Sequence, residues 1–232
     1  MPIPSVSERE RQKRAAAARA LEFVMPGMVL GLGSGSTAEL VLEALAVRVA
    51  QGLRVAGIPT SQRTEARARQ LGLTLTDFAT SRHIDLTIDG ADEVERGRLN
   101  LIKGRGGALL REKIVAAASA RMIVVVDESK LVDRLGTLGP LPVEIVAFGW
   151  QVVLDRLAES GAVPTLRRIG AMPFVTDGGN YIADCVFPGI ADPEALQARL
   201  AAMIGIVESG LFVGLADTVV IGGRSGIEIV ER

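Results

Sequence analysis

Short apolar runs alternate with helix-patterned segments through the first half of this 232-residue chain. Ser5-Val-Ser-Glu8 is typical of a capping box and predicts a helix that ends near Val24. Met28–Leu32 is then followed by apolar residues at helical spacing in Ala38–Ala50, and the alternation continues to the β-branched run Met122–Val126. Strands that alternate with helices indicate a parallel sheet, and right-handed crossovers place helices on both of its faces. The sequence therefore predicts an α/β fold with an open, mostly parallel sheet.

The pattern changes near Gly136, which suggests a second domain. The runs Phe174–Thr176 and Tyr181–Val186 flank a four-residue turn, and this arrangement predicts an antiparallel hairpin. The expected division is a main Rossmann-like α/β domain of residues 1–135 and 209–232, and a smaller inserted α+β domain of residues 136–208.

Composition restricts the chemistry. The single cysteine, Cys185, cannot form an internal disulfide, and no Cys/His cluster exists to hold zinc, so a cytoplasmic, reducing setting is expected. A net charge of −1 and 3% aromatic residues leave no electrostatic footprint or stacking platform for nucleic acid. The single histidine, His83, precedes an apolar strand and is interpreted as a structural or surface residue. Acid–base chemistry then falls to carboxylates and lysines.

A positive mean hydropathy of +0.32 raises the question of a membrane segment. The longest early stretch without charges, Phe23–Ala38, is short and is interrupted by Pro26 and several glycines. Such a stretch cannot span a bilayer, and the mixed charges that precede it do not fit a signal peptide. We expect neither a membrane partner nor a leader.

The first strand leads into a glycine-rich loop, Gly33-Ser-Gly-Ser-Thr-Ala38. Its spacing matches a dinucleotide fingerprint, but no carboxylate follows the second strand before Glu65, so the ribose of a dinucleotide would have no acidic partner. The small residues and the hydroxyls of Ser34, Ser36 and Thr37 at a helix N-terminus suit a phosphate or a polyol. The alternative is a tight turn that only caps the helix.

Polar residues also end the second and third strands. Thr60 and Ser61 are interpreted either as a helix cap or as ligand contacts, because ligands prefer this edge of a parallel sheet. In Asp89-Gly-Ala-Asp-Glu93, small residues separate Asp89 from Asp92 and leave room for a ligand. The alternatives are a turn with a satisfied aspartate and a magnesium site, for which the spacing offers little support.

Lys103-Gly-Arg-Gly-Gly107 predicts a second anion-binding loop before a helix. In that helix, Glu112 has only Ala, Leu and Val at the neighbouring helical positions. If this face packs, the carboxylate is desolvated, which favours a general base. The alternative is that Arg111-Glu112-Lys113 is a solvated triplet.

Taken together, these segments resemble ribose-5-phosphate isomerase of the A type over nearly the whole chain. The segments that carry the resemblance are Gly33-Ser-Gly-Ser-Thr37, Pro59-Thr-Ser61, Asp89-Gly-Ala-Asp-Glu93, Lys103–Lys113, Asp127-Glu-Ser-Lys130, Pro140-Leu-Pro-Val-Glu144, Val175–Asn180 and Gly205–Phe212. Two positions depart from the family pattern. Arg105 stands where a family version has three consecutive glycines, and its side chain either attracts phosphate or points to solvent. Ser209 replaces a histidine of some relatives.

The resemblance implies an enzyme that interconverts D-ribose 5-phosphate and D-ribulose 5-phosphate in the non-oxidative pentose phosphate pathway, with no cofactor and no metal. It implies Glu112 as the base, and Asp89, Asp92 and Lys103 as groups that assist ring opening and stabilise the oxyanion. The substrate-binding positions implied by the resemblance are Ser34, Gly35, Ser36, Thr37, Thr60, Ser61, Gly90, Ala91, Gly104, Arg105, Gly106 and Lys130. The expected partners are a sugar phosphate and a second copy of the chain, in a homodimer.

The residues alone leave two other function classes open. A sugar-phosphate sensor without catalysis would normally carry a DNA-binding appendage, and one N-terminal helix is too little for a helix-turn-helix. Acyl-CoA transfer on a similar open sheet would use a glutamate as nucleophile.

Overall fold

A computed structural model of the chain describes residues 6–232, so Ser5 of the predicted capping box lies outside the described residues. The helices are α1 (Val6–Ala20), α2 (Ser36–Ala50), α3 (Gln62–Gln70), α4 (Leu109–Ala117), α5 (Trp150–Glu159) and α6 (Pro193–Ala201). The strands are β1 (Val29–Leu32), β2 (Ala56–Pro59), β3 (Leu86–Gly90), β4 (Glu93–Glu95), β5 (Leu101–Ile102), β6 (Met122–Asp127), β7 (Leu131–Val132), β8 (Leu141–Ile145), β9 (Val163–Leu166), β10 (Arg168–Ile169), β11 (Met172–Pro173), β12 (Tyr181–Val186), β13 (Ile206–Ser209), β14 (Leu211–Phe212), β15 (Thr218–Gly223) and β16 (Gly226–Glu231). Short 3-10 helices cover Leu21–Phe23 and Glu128–Lys130.

The chain divides into two compact units. The first contains the described residues up to Ala91, together with Arg111–Lys130 and Leu215–Arg232, and the second contains Asp92–Leu110 and Leu131–Gly214. These boundaries differ from the predicted ones, because residues 92–110, 131–135 and 209–214 belong to the second unit. The reason is a small sheet of order β14-β5-β4-β7, whose very short strands pair with one another across long stretches of sequence.

The first unit is built on a six-stranded sheet of order β16-β15-β6-β3-β1-β2. Neighbouring strands are parallel except for β15 and β16, which form an antiparallel pair at one edge. The predicted open, mostly parallel sheet is thus confirmed. The edge strand β16 is an addition that the sequence pattern did not indicate.

Helices cover both faces of this sheet, as predicted. On one face, Leu30 and Leu32 of β1 belong to the apolar cluster that contains Leu42 and Leu45 of α2. On the other face, Val115 of α4 packs with residues at the ends of β2 and β3. This alternation follows from the strand geometry, in which successive side chains point to opposite faces.

The second unit contains an antiparallel sheet of order β13-β8-β12-β9. Val143 and Ile145 of β8 pack with Leu157 of α5 and Leu200 of α6, so both helices contribute to the core of this unit. A smaller sheet domain, expected from the sequence, is therefore present. Within residues 6–232, no helix combines the length and the apolar character that crossing a bilayer requires.

The predicted hairpin of Phe174–Thr176 with Tyr181–Val186 is wrong. Strand β12 pairs with β8 and β9, and residues 174–176 form no strand. Buried Glu144 explains this, because its Oε1 accepts hydrogen bonds from Thr176 Oγ1 and Asn180 Nδ2, each at 2.9 Å. The turn is therefore bound to β8, and the hairpin in this part of the chain is β10 with β11.

Candidate active site

Several predicted site residues of the first unit lie at one edge of its sheet. Strands β1, β2, β3 and β6 are parallel, so their carboxyl ends meet at that edge, where ligands bind in open α/β sheets. The predicted positions in the first unit that lie in the last residues of these strands or follow them are Ser34, Gly35, Ser36, Thr37, Thr60, Ser61, Asp89, Gly90, Ala91 and Lys130.

Asp89 sits near the end of β3 with only 1% of its surface exposed. Its Oδ1 accepts hydrogen bonds from the backbone N–H of Ser34 at 3.1 Å and of Gly90 at 2.7 Å. A Cβ on Gly33 would lie 2.2 Å from that same Oδ1 and 2.7 Å from the Asp89 Cα. The glycine at position 33 is therefore required for the loop to close over this carboxylate.

A cluster of hydroxyls fastens the first glycine loop to the end of β2. Ser34 Oγ lies 2.8 Å from both Thr60 Oγ1 and Ser61 Oγ, and 3.0 Å from Thr64 Oγ1. Ser61 also caps α3 by accepting a hydrogen bond from the Thr64 N–H at 3.0 Å. Of the two interpretations of Thr60 and Ser61, the helix cap thus holds for Ser61, and both side chains are buried. Thr64 was missed, although its place three residues after a capping serine is a recognisable signal.

The N-terminus of α2 directly follows this loop. Gly35 precedes the helix with φ +93°, a left-handed conformation that glycine adopts without strain. Ser36 and Thr37 then supply the first amides of a 15-residue helix, whose N–H groups and dipole attract anions. Gly90 lies beside it, since a Cβ there would be 3.3 Å from the Thr37 Cβ.

Glu112 lies on the buried face of α4 with 5% of its surface exposed. Val115 and Ala116, which follow it at helical spacing, are also buried, whereas Arg111 and Lys113 are partly exposed. The interpretation of a solvated triplet is therefore wrong for Glu112. A carboxylate withheld from water by apolar neighbours can act as a proton acceptor.

Lys130 ends the 3-10 helix that follows β6. Just before it, buried Asp127 accepts a hydrogen bond from the Ser129 N–H at 3.1 Å. Lys13 of α1 places its Nζ 3.8 Å from Asp127 Oδ2, which brings a second ammonium group to the end of this strand. Lys13 was not singled out from the sequence, because nothing local connects α1 with β6.

The second unit holds the remaining predicted residues: Asp92, Lys103, Gly104, Arg105 and Gly106. Asp92 Oδ2 accepts a hydrogen bond from the Arg105 N–H at 2.9 Å, so the structure brings these two positions together. Lys103 is 3% exposed, and its Nζ lies 5.6 Å from the centroid of the Phe212 ring. Such a contact stabilises a buried ammonium group.

The side chain of Arg105 has a defined neighbour. Its Nη2 lies 3.8 Å from Glu93 Oε1, so the guanidinium faces a carboxylate rather than pointing only to solvent. Glu93 itself is buried and accepts hydrogen bonds from the backbone N–H of Gly136 at 2.7 Å and of Leu138 at 2.8 Å. Sequence reasoning missed Glu93 as a loop anchor, as it missed Arg167, which also contacts the loop that contains Arg105.

No catalytic role is predicted from the sequence for His83 or Cys185. His83 is exposed. Burial raises the pKa of the Cys185 thiol to about 12, so this cysteine is not an activated nucleophile. Within residues 6–232, no three His, Cys, Asp or Glu side chains come together in a way that could hold a metal ion.

Comparison with known proteins identifies the family. The family model for ribose 5-phosphate isomerase A (phosphoriboisomerase A) matches residues 56–226. The chain belongs to the ribose 5-phosphate isomerase A family. A ribose-5-phosphate isomerase A from Gloeobacter violaceus is 55% identical over 218 residues, which are 94% of this chain and 95% of the relative.

Solved structures of the ribose 5-phosphate isomerase A family share the fold. A ribose 5-phosphate isomerase A from Methanocaldococcus jannaschii superposes with a TM-score of 0.92 at 38% identity, covering 96% of this chain and 99% of that one. A D-ribose-5-phosphate isomerase in complex with phospho-erythronic acid gives a TM-score of 0.93 at 37% identity, covering 97% and 99% of the two chains. The resemblance inferred from the motifs is confirmed, and the chain is an enzyme of the aldose–ketose isomerase class.

Proposed function

We propose that this chain interconverts D-ribose 5-phosphate and D-ribulose 5-phosphate, with Glu112 as the general base. The observation that carries the proposal is a buried glutamate on α4, at the position that the family resemblance implies for the base. The relative solved with phospho-erythronic acid supports the substrate class. That ligand combines a phosphate with a planar carboxylate, which resembles the ene-diolate of a phosphorylated sugar.

The reaction moves two hydrogens and needs no outside oxidant. Glu112 removes the proton from C2 of the open-chain aldose, the electron pair of that C–H bond forms a C1–C2 double bond, and O1 becomes an oxyanion. Glu112 then returns the proton to C1 while the O2–H proton leaves and the C2 carbonyl forms. O2 loses one proton and the O1 oxyanion gains one, so the atoms and electrons balance.

Three further charged residues assist in this proposal. Lys103 stabilises the negative charge that develops on the oxygens, which is where preorganised charge has the largest effect on rate. Asp89 and Asp92 assist ring opening of the cyclic sugar by moving protons between the ring oxygen and the C1 hydroxyl. Two backbone amides fix the position of the Asp89 carboxylate, so it can act on the sugar from one defined place.

The proposed binding residues fall into three groups. The loop residues Ser34 to Thr37, the loop residues Gly104 to Gly106, and the Lys130 ammonium group bind the anionic and hydroxyl groups of the sugar phosphate. Gly90 and Ala91 leave space for the substrate by their small size. Thr60 and Ser61 act through Ser34, to which they are hydrogen-bonded.

The broader setting is also proposed on the family resemblance. The enzyme works without a cofactor in the cytoplasm, as a homodimer, in the non-oxidative branch of the pentose phosphate pathway. Nucleic acid is not a partner, since the net charge of −1 provides no basic surface for it.

Replacing Glu112 with glutamine tests the base. The amide cannot accept the C2 proton, so we expect Glu112→Gln to lose roughly 10²-fold or more in kcat while it still binds ribose 5-phosphate. Glu159→Gln, at an exposed glutamate of α5, is the matched control and should retain wild-type turnover. Wild-type turnover in Glu112→Gln would overturn the assignment of the base.

The same samples separate the two other function classes. A sensor would bind ribose 5-phosphate in calorimetry but convert none of it. An acyl-CoA transferase would leave a glutamyl-CoA adduct, visible by mass spectrometry after incubation with acyl-CoA. We expect turnover and no adduct.

A further inference from the structure

Arg167 connects the antiparallel sheet of the second unit to the loop Lys103–Gly107. Its Nε donates to Asp184 Oδ2 at 2.9 Å, and its Nη2 donates to Asp184 Oδ1 at 2.5 Å. Its Nη1 donates to two successive backbone carbonyls, those of Gly104 at 3.0 Å and Arg105 at 3.1 Å. The Arg167 guanidinium thus binds a carboxylate through Nε and Nη2 and the glycine loop through Nη1.

The strand pairing explains why Arg167 reaches Asp184. Asp184 of β12 is paired with Thr165 of β9, and Arg167 lies two residues beyond Thr165. Arg167 is one residue past the end of β9, but its N–H still donates to the Ile182 carbonyl of β12 at 2.8 Å. Because residues two apart along an extended chain share a face, Arg167 and Asp184 are diagonal neighbours on one side of the sheet. The two-point bond to the carboxylate fixes the plane of the guanidinium, and the Arg167 side chain is only 15% exposed.

The two bonds to carbonyls set the direction of two peptide groups. In a trans peptide the C=O and the N–H point in opposite directions across a rigid plane. Because the carbonyls of Gly104 and Arg105 face Arg167, the N–H groups of Arg105 and Gly106 face the other way. The Arg105 N–H confirms this direction, since it donates to the carboxylate of Asp92 at 2.9 Å.

The loop needs such a restraint because its glycines allow other peptide orientations. Gly104 has φ +110° and Gly107 has φ +82°, values that glycine adopts without the strain other residues incur. The Phe174 ring occupies the position where a Cβ on Gly107 would be, only 2.3 Å away, and its face lies 5.7 Å from the Arg167 guanidinium. Arg167 and Phe174 therefore hold the loop at both ends.

We propose that Arg167, fixed by Asp184, is a positioning residue for the isomerisation. It orients the peptide after Arg105 so that the Gly106 N–H faces the sugar oxyanion, and it orients the peptide after Gly104 so that the Arg105 N–H holds the carboxylate of Asp92. This inference rests on the proposed function, which places Gly104 to Gly106 among the substrate-binding residues. Arg167 does not touch the substrate. It acts through the loop, because an amide stabilises developing charge best when it is already oriented towards that charge before the reaction.

Steady-state kinetics of Arg167→Met test the inference. Misdirected amides stabilise the oxyanion less in the transition state, so we expect kcat to fall roughly 10-fold or more while KM changes less than about threefold. Arg168→Met is the matched control, because the exposed neighbouring arginine bonds its own hairpin at the Ala171 carbonyl, and its kinetics should stay at wild-type values. A kcat within twofold of wild type in Arg167→Met would overturn the inference.

Chemical rescue separates positioning from general loss of structure. Added guanidinium at millimolar concentration should restore part of the kcat of Arg167→Ala, whereas sodium chloride at the same ionic strength should not. If Arg167→Ala fails to fold, Asp184→Asn provides the same test, with a smaller loss of kcat and faster amide exchange in residues 104–107. Absence of rescue in a folded variant, or unchanged exchange in Asp184→Asn, contradicts the inference. Inactivity of the wild type would instead contradict the proposed function.

Discussion

The two glycine loops of this molecule have similar sequences, but different interactions hold them. The loop Gly33–Thr37 is fastened by uncharged hydroxyls around Ser34 and closes over Asp89. The loop Lys103–Gly107 is held by the charged side chain of Arg167 on its carbonyls. An aspartate accepts a hydrogen bond from one amide in each loop, Asp89 from Ser34 and Asp92 from Arg105. A glycine-rich loop before a helix therefore predicts where an anion can bind, and the residues around it decide which way its amides point.

The partners of the two loops also come from different distances along the chain. The hydroxyls that hold Ser34 follow the next strand, about one helix and one strand later. Arg167 lies more than sixty positions beyond Gly104, so its contact with the second loop requires that these distant parts of the chain come together. Long-range contacts of this kind require the closure of a long chain segment before they contribute.

Gly33→Ala should have the largest effect on the first loop. The new Cβ would meet the Asp89 carboxylate and backbone, neither of which can move freely, so we expect a loss of about 3 kcal/mol in the free energy of unfolding. Gly106→Ala in the second loop is the control, because no atom lies within 4 Å of its Cβ position. Urea denaturation measures both. Equal stability of Gly33→Ala and wild type would show that the loop does not close on Asp89.

Ser34→Ala should have a smaller effect, of about 1 kcal/mol, because it removes the centre of the hydroxyl cluster and leaves the backbone unchanged. Since this cluster is uncharged, the loss in the free energy of unfolding should be the same in 0.1 M and 1 M sodium chloride. Urea denaturation at the two salt concentrations measures it. The loss in Asp184→Asn, which weakens a partly exposed ion pair, should shrink in the higher salt. A salt-dependent loss in Ser34→Ala would contradict the division into an uncharged and an ionic loop.

Local patterns predicted the first unit well. The alternation of strands and helices, the parallel sheet and the helices on both faces follow from hydrophobic periodicity, and the structure confirms them. The hairpin at Phe174–Thr176 was predicted wrongly because a turn sequence does not reveal that buried Glu144 binds the turn. The division at Gly136 differed for a similar reason, since two-residue strands such as β5 and β14 carry no periodic signal.

The same limit applies to the site. Glycines, hydroxyls and the apolar surroundings of Glu112 can be recognised from neighbours in sequence, and the burial of Glu112 was one of the two interpretations that its neighbours left open. Glu93 and Arg167 were missed because their partners are backbone groups far along the chain, which carry no side-chain signature. Side chains that bind distant main-chain atoms are recognised only when the fold is known.

The most direct test of the account is an isomerase assay of the wild-type chain in the presence of EDTA. Ribose 5-phosphate and ribulose 5-phosphate are supplied in separate reactions, and the composition is followed by NMR. The account predicts that both reactions reach the same equilibrium mixture at a rate that EDTA does not change, because carboxylates and a lysine carry the chemistry. No conversion, or conversion that EDTA abolishes, would contradict it.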